Sequence, residues 1–183
     1  MARWKQSLAA DTASEIAEAA LVLPLMFTLL LGIFYVGRGY NIYAAMNHAA
    51  REGARAAASS TCATCPTPNQ PLPADQVATT YVAPVLAASG IDNSRVTSTV
   101  TPNLCACGSG SCPQPVQCDP LGTSSVPSVC VQYNVDLGLQ NYSPVTCGTA
   151  VSFQYPFHLP LPFAPSSLQT VTIATQAQAR AEQ

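Results

Sequence analysis

Glu18 to Gly37 reads "EAALVLPLMFTLLLGIFYVG", and this stretch decides the architecture. From Ala19 to Val36 it carries no charge. At 1.5 Å of rise per helical residue, such a run with its flanks covers the roughly 30 Å of a bilayer's hydrocarbon. A membrane span over residues 16–37 is therefore expected. A cleaved secretory signal competes with that reading, because Arg3 and Lys5 supply a basic start. The apolar run is too long for a signal, and "GRGYNIY" at 37–43 places Arg38 and Asn41 where a small-residue cleavage site belongs. Pro24 lacks a backbone donor and crowds the preceding turn, which predicts a kink or local unwinding.

Reading outward, "MARWKQSLAADTA" at 1–13 is a short polar and basic leader. Downstream, "YNIYAAMNHAAREGARAAASS" is alanine-rich, and Ile42, Met46, Ala49, Ala50, Gly53 and Ala57 recur at helical intervals. One helix over 14–58 follows, half of it in need of something to pack against. The Pro/Cys-rich connector at 59–74 holds Pro66, Pro68, Pro71 and Pro73, which no helix crosses. A second helix is predicted from Ala74 or Asp75 to Ser89, apolar at Val77, Tyr81 and Val85, kinked at Pro84 and stopped by Gly90.

Beyond it the period changes to two. "RVTSTVT" at 95–101, "SVCVQYNV" at 128–135, "AVSFQY" at 150–155 and "TVTIAT" at 170–175 read as strands. Their inward residues are Val129, Val131, Tyr133 and Val135, then Val151, Phe153 and Tyr155, then Val171 and Ile173. An antiparallel sheet covering one face of the long helix is the economical α+β architecture, with residues 75–183 as one domain. Residues 102–127 form a cysteine-, proline- and glycine-rich insertion with little to bury, and "PFHLPLPFAP" at 156–165 reads as an extended irregular connection.

The 183 residues are 48% hydrophobic and only 9% charged, with a net charge of −2. Between Ala56 and Ala179 the sole basic residue is Arg95, which excludes a nucleic-acid surface. Eight cysteines, Cys62, Cys65, Cys105, Cys107, Cys112, Cys118, Cys130 and Cys147, all follow the apolar run. Their number and spacing fit structural disulfides in an oxidising compartment better than a zinc knuckle or a thioredoxin-like site. Sequence does not choose among the pairings. One is disfavoured: in a hairpin of the second and third strands, Cys130 and Cys147 fall at opposite ends, beyond the ~7 Å Cα limit. Basic residues on both sides of the span, Arg3 and Lys5 against Arg38, Arg51 and Arg55, leave the charge rule for orientation undecided.

His48, Glu52 and Arg55 read as surface charge pairs rather than an acid–base or metal site, and His158 as structural. No nucleotide-, metal- or hydrolase-type fingerprint is present, so neither an enzyme nor a cofactor is expected. Glu18 admits two readings. It either marks the interfacial end of the span or, placed in hydrocarbon at a cost of about 2.5–3.5 kcal/mol, calls for a partner.

Together, "EAALVLP", "LLLGIFYVGR" and "NHAAREGARAAA" resemble the TadE family of pilin-like proteins from tight-adherence (Flp, type IVc) pilus systems. "VSFQYPF" and the ending "VTIATQAQARAEQ" resemble that family's closing pattern, whereas the cysteine-rich insertion has no typical counterpart. The resemblance implies that a prepilin peptidase cuts between Ala13 and Ser14, Ala13 standing where glycine is usual. Glu18 then becomes the fifth mature residue, and it pairs with the positive amino terminus of a neighbouring subunit. It further implies a minor pilin or pseudopilin in the bacterial inner membrane, its C-terminal domain periplasmic. Implied partners are other pilin-like subunits (TadF-like or major Flp pilin) and the platform proteins. The alternative is an uncleaved, single-pass, cysteine-rich periplasmic binding or adhesion protein.

Overall fold

Alanine and straight-chain residues make α1, Ala2–Ala58, one uninterrupted helix. The computed structural model describes residues 2–59, 71–99, 104–108, 116–119, 121, 126–137, 146–159 and 169–180, with side chains from Ile16 onward. Helix begins at Ala2 rather than Ser14, since neither glycine nor proline lies between Ala2 and Ala13 to break it. It also continues through Pro24. Proline forfeits a single donor while the turns on either side keep theirs, so helical structure persists on both sides of it.

The chain divides into two units, Met1–Tyr40 and Asn41–Gln183. In the first, every described side chain from Ile16 to Phe34 is exposed. In the second, α1 turns amphipathic: Met46, Ala49, Ala50, Gly53, Ala54 and Ala57 are buried, as the helical spacing predicts, while His48, Arg51 and Arg55 stay exposed. The small residues matter sterically. A Cβ on Gly53 would lie 2.8 Å from Val82 Cγ2 and 3.6 Å from Val151 Cγ1, so helix and sheet meet across a glycine.

The second helical segment is composite: α2 (Ala74–Gln76), a π-helix (Val77–Val82) and α3 (Ala83–Ala88). Pro84 explains the π-turn. Without an N–H at 84 the α-ladder cannot close, and the Ala83 N–H reaches Ala78 O, five residues back. The widened turn shifts the buried face to Val77, Ala78, Val82 and Leu86, leaving Tyr81 exposed where the α-period had placed it inside. Gly90, at φ +71°, ends the segment as predicted. The Ile91 N–H closes back on Leu86 O at 3.0 Å, and both side chains enter the core, a Schellman stop with its apolar contact.

Four strands form the antiparallel sheet: β1 (Thr97–Ser98), β2 (Cys130–Asp136), β3 (Cys147–His158) and β4 (Thr170–Arg180). β4 pairs β3 from Gly148 to His158 and fills one of its sides. β2 and then β1 share the other, opposite residues 147–152 and 153–154. β1 is shorter than the β-branched run suggests, because a 3₁₀ turn at Asn93–Arg95, capped by Asp92, occupies its start. β3 runs on through Pro156, in the stretch expected to be irregular. The Pro156 carbonyl accepts from Arg95 Nη2 at 3.1 Å on the β1 side, so its missing N–H also faces that side and no β4 bond is lost.

Val129, Val131 and Tyr133 join Val151, Phe153, Tyr155 and Phe157 against α1, but Val135 does not. Register shifts between Gln132 and Val135, with Asn134 at φ 50°. This β-bulge adds one residue to β2 and turns Val135 to the opposite face, where it packs with Leu104 and Ala150. The insertion thus buries more than its composition suggests. Val171 is also displaced from the expected core; Ile173, Thr175, Ala177 and Ala179 form β4's inner row while Val171 is 48% exposed.

Two predictions follow from this packing. Gly53→Leu drives atoms into Val82 and should lower stability by about 1–3 kcal/mol in thermal unfolding, whereas Arg55→Leu on the exposed face should change it by no more than about 0.5 kcal/mol. Tyr133 donates to Leu72 O; burial, then the charges of Asp119 and Asp75, push its phenol up. An unfolded tyrosine ionises near pH 10 while folded Tyr133 keeps its proton, so its contribution holds below that pH and fades above it. Tyr133→Phe should flatten the alkaline fall in midpoint temperature.

Candidate functional site

The exposed half of α1 asks for surroundings that the described residues of the chain do not supply. From Ile16 it is long and apolar enough, by length and composition, to cross a bilayer, and it is a candidate membrane anchor. Ala19, Val22, Leu23, Met26, Phe27 and Leu30 line a shallow groove along one helix face, recurring at three- and four-residue steps. Leu23, Met26 and Phe27 are each more than half exposed. Interdigitating surfaces of this kind suit lipid or a second apolar helix.

Glu18 heads this stretch one turn before Val22. It is exposed, and no described side chain bonds or pairs with it. At the other end Phe34 and Tyr35 meet edge to face at 5.5 Å. Arg38, then Tyr40 and Tyr43, both exposed, follow along the helix. Aromatics with a cation at the close of an apolar run match the composition of a membrane–water boundary. From the sequence, Arg38 was set against a cleavage site and weighed for orientation, and the aromatics beside it were not read as a boundary signal. Ala13 and Ser14 lie within helical backbone of α1. The expected charge pairing of His48, Glu52 and Arg55 does not form; among the described residues these side chains make no ion pair and remain solvated.

The cysteines do a different job. Cys107 bonds Cys147 (Cα–Cα 5.5 Å) and Cys118 bonds Cys130 (5.0 Å). Cys105 is disulfide-bonded as well. Cys130 sits opposite Ser152 and Cys147 opposite Asp136, so the two thiols lie at opposite ends of the β2–β3 hairpin and each pairs into the insertion instead. Cys62, Cys65 and Cys112 fall outside the described residues. Backbone bonds run beside the disulfides: Cys107 N–H to Asn134 O and Asp119 N–H to Val131 O, both 2.8 Å, and Asp136 N–H to Cys105 O at 2.9 Å. The insertion therefore lies along the outer side of β2, and Gln132 Nε2 donates to Val116 O to hold it there.

His158 is exposed and within 3.5 Å of Thr170 Oγ1, a pairing that links strand ends. Replacing Cys118 and Cys130 together by serine should cost about 2–4 kcal/mol of stability. Protease should then cut the 116–121 region first, as mapped by mass spectrometry of timed digests.

Residues 8–55 match the family model described as TadE-like protein, a match that lies wholly within α1. No curated protein and no solved structure matches the chain. TadE-like proteins are associated with tight-adherence (Tad) pili.

Proposed function

We propose that the protein is a minor pilin or pseudopilin that helps initiate or build a tight-adherence (Flp, type IVc) pilus, working by helix packing rather than catalysis. The observation that carries this reading is the coincidence of the family match at 8–55 with an exposed, uncharged stretch of helix headed by a carboxylate that has no partner among the described residues. α1 anchors the subunit in the inner membrane. The disulfide-bonded sheet domain lies on the oxidising, periplasmic side, where cystines persist.

Assembly proceeds through an intramembrane charge pair. A prepilin peptidase removes residues 1–13, Ser14 becomes the amino terminus, and the new ammonium group of one subunit meets Glu18 of its neighbour. In hydrocarbon each charge alone is costly, so the pair selects a register in which both are compensated. Other pilin-like subunits and the platform proteins are the partners of this step.

Amino-terminal sequencing of the membrane-extracted protein should begin at Ser14; a chain beginning at Met1 would favour the anchored, uncleaved binding protein instead. Glu18→Ala should insert normally yet reduce surface pili on the order of tenfold or more, the scale of one lost buried pair. Wild-type pilus yield in that variant, counted by electron microscopy, removes the charge-pair mechanism.

A further inference from the structure

The cystines do not join cysteines that are neighbours in the sequence. Of Cys107, Cys118, Cys130 and Cys147, the first bonds the last, 40 residues on, and the second bonds the third, 12 residues on, nested inside that loop. Cys112 also falls between Cys107 and its partner. Cys147 is the last of the eight cysteines, so as the chain is made every competitor for Cys107 is present before its native partner.

Loop closure favours other pairs. "CGSGSC" runs from Cys107 to Cys112, and in a chain not yet folded glycine and serine resist closure least. Closing these five residues rather than 40 is favoured roughly twentyfold on the −3/2 power of loop length. Cys112 and Cys118, six apart, are likewise closer than either observed pair.

Packing does not overrule these statistics before the bonds exist. The sheet has a core of its own, with Val131, Val151 and Phe153 set against α1, and its register keeps Cys130 and Cys147 at opposite ends of β2–β3. The insertion contributes little to either core: Leu104 is buried, and Val116 and Leu121 are partly covered. Its backbone bonds to β2, from the Cys107 and Asp119 N–H groups, do not offset the entropy of ordering so glycine- and serine-rich a segment. The insertion needs its cystines in order to be placed, so placement does not select them.

We infer that the native pairing is reached by disulfide isomerisation, and that this chain is a substrate of a thiol–disulfide isomerase in the compartment where its cysteines are oxidised. The inference rests on the oxidising-side placement of the domain and not on the pilus mechanism. An oxidant of the protein-disulfide class makes the first bonds, taking two electrons and two protons from each cysteine pair. From there the number of S–S bonds stays constant. A thiolate of the isomerase attacks Cys112 Sγ in a Cys107–Cys112 bond, forming a mixed disulfide and releasing the Cys107 thiolate. That thiolate attacks Cys147 Sγ and expels the thiolate of whichever cysteine held it. The expelled thiolate then displaces the isomerase from Cys112. Two S–S bonds enter and two leave, the catalyst regains its thiolate, and no oxidant is consumed. Exchange stops at the native set in part because Cys130 is fully buried, which shields the inner bond from attack at that sulfur.

The test starts from the full chain in detergent, reduced and unfolded in guanidinium chloride. It is diluted either into diamide alone, which oxidises without permitting exchange, or into a mixture of reduced and oxidised glutathione. After acid quench and alkylation, cystine-linked peptides are mapped by mass spectrometry. The six cysteines from Cys105 to Cys147 allow 15 pairings. With diamide, Cys107–Cys112 should dominate and Cys107–Cys147 should be a minor product; with glutathione, Cys107–Cys147 and Cys118–Cys130 should rise several-fold together. Equal native yield in the two conditions would overturn the inference, as would scrambled pairs that persist in glutathione.

In native cells, pulse-labelled chain quenched with acid should show Cys107–Cys112 first, then its conversion to the native pairs. A cellular isomerase whose second active-site cysteine is changed to alanine should be recovered as a mixed disulfide with this chain. Native pairs appearing first, with no such adduct, would discard the isomerase. Pairing is read without counting pili, so normal piliation in Glu18→Ala discards the charge pair and leaves this inference standing, and a native yield independent of exchange does the reverse.

Discussion

The close approach of α1 to β3 is the contact on which the rest of the second unit depends. Gly53 presents no side chain, and Ala49, Ala50, Ala54 and Ala57 present little, so the helix backbone comes near enough for Val77, Val82 and Val151 to close over it. A helix built of leucine there would stand farther off and leave the inner row of β4, Thr175, Ala177 and Ala179, without a covering layer. Small residues on α1 and large ones on β3, notably Phe153 and Tyr155, are two halves of one steric solution. A cross-layer side-chain bond, Thr175 Oγ1 to Asn47 Oδ1 at 2.7 Å, then sets where along the helix the sheet sits.

That arrangement gives α1 two chemistries along one chain. From Ala19 to Phe34 it is apolar all round and exposed, which water does not tolerate over such a length and lipid does. From Met46 onward it is amphipathic in the ordinary globular sense. The family match spans both regimes and stops at residue 55, near the end of the helix. What the match covers is thus the candidate anchor together with the helix face on which the sheet is built.

Much of this was legible before any coordinates. The uncharged run, the helical recurrence at Met46, Ala49, Ala50, Gly53 and Ala57, the stop at Gly90 and the inward residues of β3 all follow from period and local sterics, which act within a few residues. Two of the misses share a cause. Val135 leaves the core because Asn134 takes a left-handed conformation and adds a residue to β2, a choice made jointly with β3. Tyr81 rotates outward because Pro84 demands a π-turn, which moves the helical face by about one residue's arc. Val171 is a different case: it keeps the inward phase of Ile173 and is exposed because it lies near the end of the strand. Single-residue shifts of phase are invisible to a pattern that averages over a window, and they decide which side of a sheet a valine faces. The Glu18 reading came from a resemblance in residues rather than from period or local sterics.

The insertion shows how a segment with little apolar material becomes part of a fold. Among its described residues only Leu104 is a buried large aliphatic, with Val116 and Leu121 partly covered, far less than a comparable length of strand contributes. Burial on that scale does not offset the entropy of ordering so glycine- and serine-rich a stretch. Two covalent ties shorten the loop that must be ordered, and backbone bonds to Asn134, Val131 and Asp136 then form at little further entropic loss. The bulge contributes as well, because turning Val135 outward gives Leu104 an apolar neighbour it would otherwise lack. The same device that spoils a strictly alternating β2 therefore builds the second, smaller core, and the sheet is closed on that side by its own chain.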